Sequence, residues 1–138
     1  MRHMGIKRND SWIDGSFVVI TSEMIKSKAY RELTGSAIKA LILAMRKVKE
    51  QGRTERFKVI FPFSYAEAKA HGLSGASFWR AVSQLHRVGF LDLYIKGGID
   101  FSNGIKTPSA YKLSLRWKNY GTANFAARYP GQMDAING

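Results

Sequence analysis

The chain has 138 residues, and 22 Lys plus Arg against 10 Asp plus Glu give a formal net charge of +12 at pH 7. That length fits one domain with short tails, and an apolar content of 45% can fill one core. The absence of cysteine excludes disulfides, thiolate nucleophiles and thiolate-held zinc, and favours a cytoplasmic setting.

Residues 1–16 read as a flexible polar arm. Arg2, Lys7 and Arg8 are followed by no apolar block and no small-residue cleavage site, so no signal peptide is expected. Phe17 to Ile20 is a short strand-like run. Thr21 or Ser22 can cap a first helix from about Ser22 to Leu33, with Met24, Ile25, Ala29, Tyr30 and Leu33 as a broken apolar stripe. Ser36 is expected to cap the strongest helix, Ala37 to Glu50, in which Ile38, Leu41, Ile42, Met45 and Val48 recur at helical spacing. Its apolar run Ala40 to Met45 is six residues long, far short of the roughly 20 that cross a bilayer. Ala37, Ala40, Leu43 and Ala44 widen that stripe, which leaves open a central core helix or a homodimer contact.

Phe57 to Phe61 is aromatic and β-branched and stops at Pro62, as a short strand would. Ser64 and Glu67 have the spacing of a capping box, predicting a helix that Gly72 ends. Ser74 caps the next helix, Gly75 to Val88, with Phe78, Ala81, Val82, Leu85 and Val88 facing inward and Gly89 as the left-handed stop. Phe90 to Ile95 alternates as a strand. A loop from Lys96 to Ser109 follows, and Ala110 to Trp117 alternates again, so the two strands form a long-looped hairpin. Beyond Lys118 no periodicity remains, and Ile136 to Gly138 is expected to be disordered.

Helix, strand, helix, tight turn, helix, strand, loop and strand is the order of a winged helix-turn-helix, an α+β fold, here with an extra N-terminal helix. Gly72, Leu73 and Ser74 form the turn, and Leu73 suits the angle between the helices. At 100° per residue, the face of the second helix opposite Phe78, Val82 and Leu85 carries Ala76, Arg80, Ser83 and Arg87, flanked by Trp79 and Gln84. Small residues admit a helix to a major groove, and an arginine there can make a bidentate contact with guanine or hold a phosphate. The loop with Lys96, Lys106 and Thr107 would be the wing, reaching backbone or minor groove.

The stretch "FPFSYAEAKAHGLSGASFWRAVSQLHRVGFLDL" resembles the helix-turn-helix core of winged-helix proteins of bacterial phages, plasmids and other mobile elements, replication initiators and regulators among them. The upstream "TSEMIKSKAYRELTGSAIKALILA" is similar to the leading helices of the same group, so the resemblance spans about residues 17–117. It implies a DNA-binding domain at 17–117 and a C-terminal extension, partly disordered, at 118–138. It further implies sequence-specific double-stranded DNA binding, with contact by Ser74, Ser77, Arg80, Ser83 and Arg87, in transcription regulation or replication initiation. Trp79 departs from the pattern, because a large aromatic beside the contact line can pack on the wing, a partner subunit or DNA.

The charge is spread through the body. Residues 1–56 hold 12 basic and 6 acidic side chains, residues 57–117 hold 8 and 3, and residues 118–138 hold 2 and 1. Arg46, Lys47, Lys49, Arg53, Arg56 and Lys58 form the densest cluster and are candidate phosphate contacts. His71 and His86 have no clustered carboxylates nearby, so no metal is expected. His71 is placed at a helix end and His86 on a solvated side. No Walker motif, HExxH or local acid–base pair occurs, so no enzyme, cofactor or small-molecule substrate is expected either. Two rivals remain. Gly72 to Gly75 spells the GxxG of an RNA-binding KH domain, and the apolar surplus of Leu43 and Ala44 fits a winged helix used for protein association.

Overall fold

The fold is built around a stripe of alanines. In the computed structural model, which describes residues 17–52, 55–100 and 105–128 (side chains at 99–100 and 105–107 excepted), Ala37, Ala40, Ala44 and Ala81 are buried where α3 (Gly35–Glu50) packs on α5 (Gly75–Val88). Small side chains let two helix backbones approach closely, and Leu41 and Val48 from α3 with Phe78, Leu85 and Val88 from α5 complete the seam. The buried face of α3 keeps Leu41 and Val48 of the expected stripe and joins them to Ala37, Ala40 and Ala44, while Ile42 is exposed and Ile38, Leu43 and Met45 are half-buried.

Ahead of α3 lie α1 (Ser22–Lys26) and α2 (Lys28–Arg31), where a single helix was expected. Ser27 breaks it. Its backbone is extended, its hydroxyl accepts from the Tyr30 amide at 3.1 Å and donates to the Met24 carbonyl at 2.6 Å, so one residue ends the first helix and caps the second. The cap of α3 is Thr34 in place of Ser36. Its hydroxyl accepts from the Ala37 amide at 3.1 Å, and its own amide donates to Gln84 Oε1 at 3.0 Å. A contact 50 residues away in sequence thus selects between two chemically suitable caps.

Residues 56–63 correct the strand expected at Phe57 to Phe61. Arg56–Lys58 is a 3₁₀ turn, and the chain becomes extended only from Val59, after which Val59, Phe61 and Phe63 alternate inward. Only β1 (Phe61–Pro62) is bridged, Phe61 opposite Tyr111, because an edge strand tolerates a proline that has no amide to donate. The capping box at α4 (Tyr65–Ala70) is present, with Ser64 and Glu67 satisfying each other's backbone amides. Leu73 is buried in the angle between α4 and α5.

β2 (Leu91–Ile95) and β5 (Ala110–Leu113) pair antiparallel, with a register shift between Leu93 and Ile95, and β5 is the centre of a three-stranded sheet ordered β1-β5-β2. The connection between β2 and β5 is not a plain loop. It holds a second hairpin, β3 (Gly98–Asp100) with β4 (Ile105–Thr107). The strand expected to run to Trp117 stops at Leu113, because the chain turns inward into a 3₁₀ segment, Arg116–Asn119, whose Trp117 amide donates to the Gly89 carbonyl at 3.1 Å. Trp117 stacks on Phe90 at 5.4 Å between ring centres.

Gly89 has φ +98°, and an added Cβ would lie 2.6 Å from the Trp117 nitrogen, so both the conformation and the space demand glycine. Mixed helix and antiparallel sheet make this an α+β fold. Among the described residues no helix is long and apolar enough to cross a membrane. The expected arm at 1–16 and the C-terminal end beyond Arg128 lie outside those residues.

Candidate nucleic-acid interface

Ser74 opens α5, its hydroxyl accepting from the Ser77 amide at 3.2 Å. From that start the helix presents Ala76, Arg80, Ser83 and Arg87 as one exposed crest, as the 100° count predicts. A groove runs along each side. The first, about 440 Å³, lies between α5 and the start of α3 and is lined by Thr34, Ser36, Ser77, Arg80, Ser83, Gln84 and Arg87. The second, about 320 Å³, lies between α5 and the sheet and is lined by Trp79, Val82, Ser83, His86, Leu93, Lys96, Ser109 and Tyr111. Among the described residues no acidic side chain is in either lining. Hydroxyls, two guanidinium groups and the Gln84 amide line the first groove, which suits an anion with several acceptor oxygens.

The two crest arginines differ. Arg80 is exposed and makes no salt bridge among the described residues. Arg87 is tethered: its guanidinium donates to the Tyr120 hydroxyl at 3.3 Å and sits 3.8 Å from Glu32, while that hydroxyl donates to Glu32 Oε1 at 2.7 Å. The bond to Glu32, with burial and the carboxylate's charge adding to it, raises the Tyr120 pKa, and Arg87 pulls it the other way. Sequence reasoning missed this pairing because Glu32 and Tyr120 lie 88 residues apart and neither belongs to α5. Gln84, on the groove side of α5, spans the same junction, its Nε2 donating to the Glu32 carbonyl at 3.0 Å.

Trp79 is 59% exposed and stands edge-on to Phe78 at 5.1 Å. It faces the second groove, whose far wall carries Lys96 and Ser109. Lys106 belongs to β4 by its backbone, and its side chain lies outside the described residues. In the floor, burial pushes the Tyr111 phenol above its ordinary pKa while its hydrogen bond with Ser109 acts in the opposite sense. His86 is not on a solvated side: it is 5% exposed, because the sheet covers that flank of α5.

The basic cluster is dispersed. Arg46 pairs with Glu50 at 3.1 Å, Lys47 with Glu67, and Lys58 with Glu55 at 3.4 Å, while Lys49 sits over the Phe17 ring at 5.1 Å. Arg56 lies at an apolar pocket with Phe57, Met24 and Trp117, and Arg53 is outside the described residues. None of the five described ones lines either groove beside α5.

Arg116, which sequence reasoning passed over, is the best-satisfied cation of the fold. Its Nε donates to Asp92 at 2.7 Å, and its terminal nitrogens donate to the carbonyls of His86 (2.7 Å), Leu91 (3.2 Å) and Ala126 (2.8 Å). It ties the end of α5, β2 and the C-terminal segment together. Among the described residues no three His, Asp or Glu side chains gather as a metal site. Comparison with known proteins returned no match from family models, curated proteins or solved structures.

Proposed function

We propose that this chain is a winged helix-turn-helix protein that binds double-stranded DNA, with α4 and α5 as the helix-turn-helix, α5 as recognition helix and the β2–β5 hairpin with β3 and β4 as wing. The sheet order β1-β5-β2, with a short strand ahead of α4 pairing to the last strand, supports that assignment of elements. The observation that carries the function is the α5 crest. Arg80 stands between Ala76 and Ser83, and among the described residues it has no salt bridge and the grooves on both sides have no acid in their linings. An unneutralised guanidinium on a narrow helix face is suited to phosphate or to the guanine edge in a major groove. Transcription regulation or replication initiation is the role such binding would serve.

Fluorescence anisotropy with a random-sequence duplex tests the reading. Binding at low salt that weakens steeply with added salt is expected, because phosphate neutralisation releases counterions. No binding at low salt overturns it.

One feature favours protein association as a second reading. Val19, Phe57 and Leu115 are exposed around an apolar pocket of about 260 Å³ that also holds Met24, Met45 and Leu113. This surface, and not the expected Leu43 and Ala44, is the apolar surplus, since Ala44 is fully buried. Absent duplex binding together with a mass that rises with concentration in light scattering would favour it.

A further inference from the structure

We infer that the second groove, between α5 and the sheet, is a stacking site for an unpaired nucleobase, so that the interface takes DNA with a nucleotide extruded from its stack in preference to a perfect duplex. The inference rests on the DNA-binding reading and adds a ligand feature to it. Trp79 is the most exposed of the large apolar side chains described. Its ring is nonetheless held. Phe78 buttresses it edge-on at 5.1 Å, and Phe78 is itself locked by an edge contact with Phe63 at 5.2 Å. A fixed aromatic ring loses little conformational freedom when a second ring lies on it.

The rest of the groove has the matching chemistry. Val82, Leu93 and the buried Tyr111 make an apolar floor, Ser109 brings a hydroxyl, and Lys96 stands at the sheet side. Ser83 of the α5 crest and Lys96 of the sheet both line the groove, and among the described residues no carboxylate does. A flat ring attached to a polyanion meets all of these features. Aromatic faces beside cations are how single-stranded nucleic acids are held without regard to sequence, and an extruded base is available to an enzyme or a binder once the cost of unstacking is met.

Three probes decide it: a random-sequence duplex, the same duplex with one unpaired thymine, and an oligothymidylate, each titrated into the full chain with tryptophan emission and affinity read together. The expected result is affinity about 5- to 10-fold tighter for the bulged duplex than for the perfect one, with quenching of emission by the bulged duplex and the oligothymidylate. Trp79→Phe should keep most of the preference and Trp79→Ala should abolish it. Both should melt at the wild-type temperature, since the side chain is largely in solvent. Equal affinity of the wild type for the two duplexes overturns the inference while leaving DNA binding intact, and failure to bind any of the three probes overturns both. Emission that changes with protein concentration and not with oligonucleotide assigns the groove to a second copy of the chain and also overturns it.

Discussion

Arg116 and Arg80 bring the same guanidinium into opposite surroundings. Arg116 is 9% exposed, faces an Asp92 carboxylate that is 12% exposed, and spends its remaining donors on three carbonyls from separate segments. Arg80 projects from a helix face with small neighbours and has no carboxylate partner among the described residues. The first arginine is consumed by the fold, and the second is left for something outside it. A net charge of +12 therefore does not describe a uniformly basic surface. Glu50, Glu67 and Glu55 offset Arg46, Lys47 and Lys58, and Glu32 holds Arg87. What remains uncompensated beside α5 centres on Arg80.

The largest effect that can break this comparison is at Arg116. Arg116→Ala should cost about 3 to 5 kcal/mol of stability in chemical denaturation, because it strands a buried carboxylate and three carbonyls at once. Duplex affinity of the protein that remains folded should be unchanged. Next comes Gly89→Ala, which should cost about 3 kcal/mol by combining a left-handed backbone with a clash against Trp117, again without a direct effect on DNA. Affinity loss in either variant beyond the loss of folded protein would mean that the structural region and the binding region are not separate.

Smaller effects sharpen the contrast. On the proposed DNA-binding reading, Glu32→Gln removes a carboxylate that would compete with phosphate for Arg87, so duplex affinity should rise by about 0.5 kcal/mol at low salt and the gain should fade as salt increases. Arg46→Ala should change duplex affinity by less than about 0.3 kcal/mol, since Glu50 already neutralises that charge on an exposed helix face. A large loss in the second variant would restore the α3 cluster as a contact surface.

Much of the candidate site was legible in the sequence because it depends on local geometry. The Ser64–Glu67 capping box, the Ser74 cap, the Gly89 stop and the crest of α5 all follow from spacing within one or two turns. Elsewhere, contacts far apart in sequence decided the outcome. Gln84 selects Thr34 as the cap of α3, the close approach of α5 turns the alanine side of α3 inward, and the sheet buries His86. Arg116 had no local signal at all, since its partners Asp92 and the His86 and Leu91 carbonyls lie 24 to 30 residues away. The β3–β4 hairpin was the one element with an overlooked local cue. Asn103 and Gly104 are a dipeptide that favours a hairpin turn, and they lie in the stretch between Asp100 and Ile105, the last pair of the ladder.

Affinity of Arg80→Ala for a duplex, measured against salt concentration and alongside thermal stability, tests the central claim most directly. The account predicts an unchanged melting temperature, binding weaker by about 1 to 3 kcal/mol, and, where the contact is to phosphate, a salt slope lower by about 0.9. Wild-type affinity with a wild-type salt slope in a folded Arg80→Ala protein would contradict it.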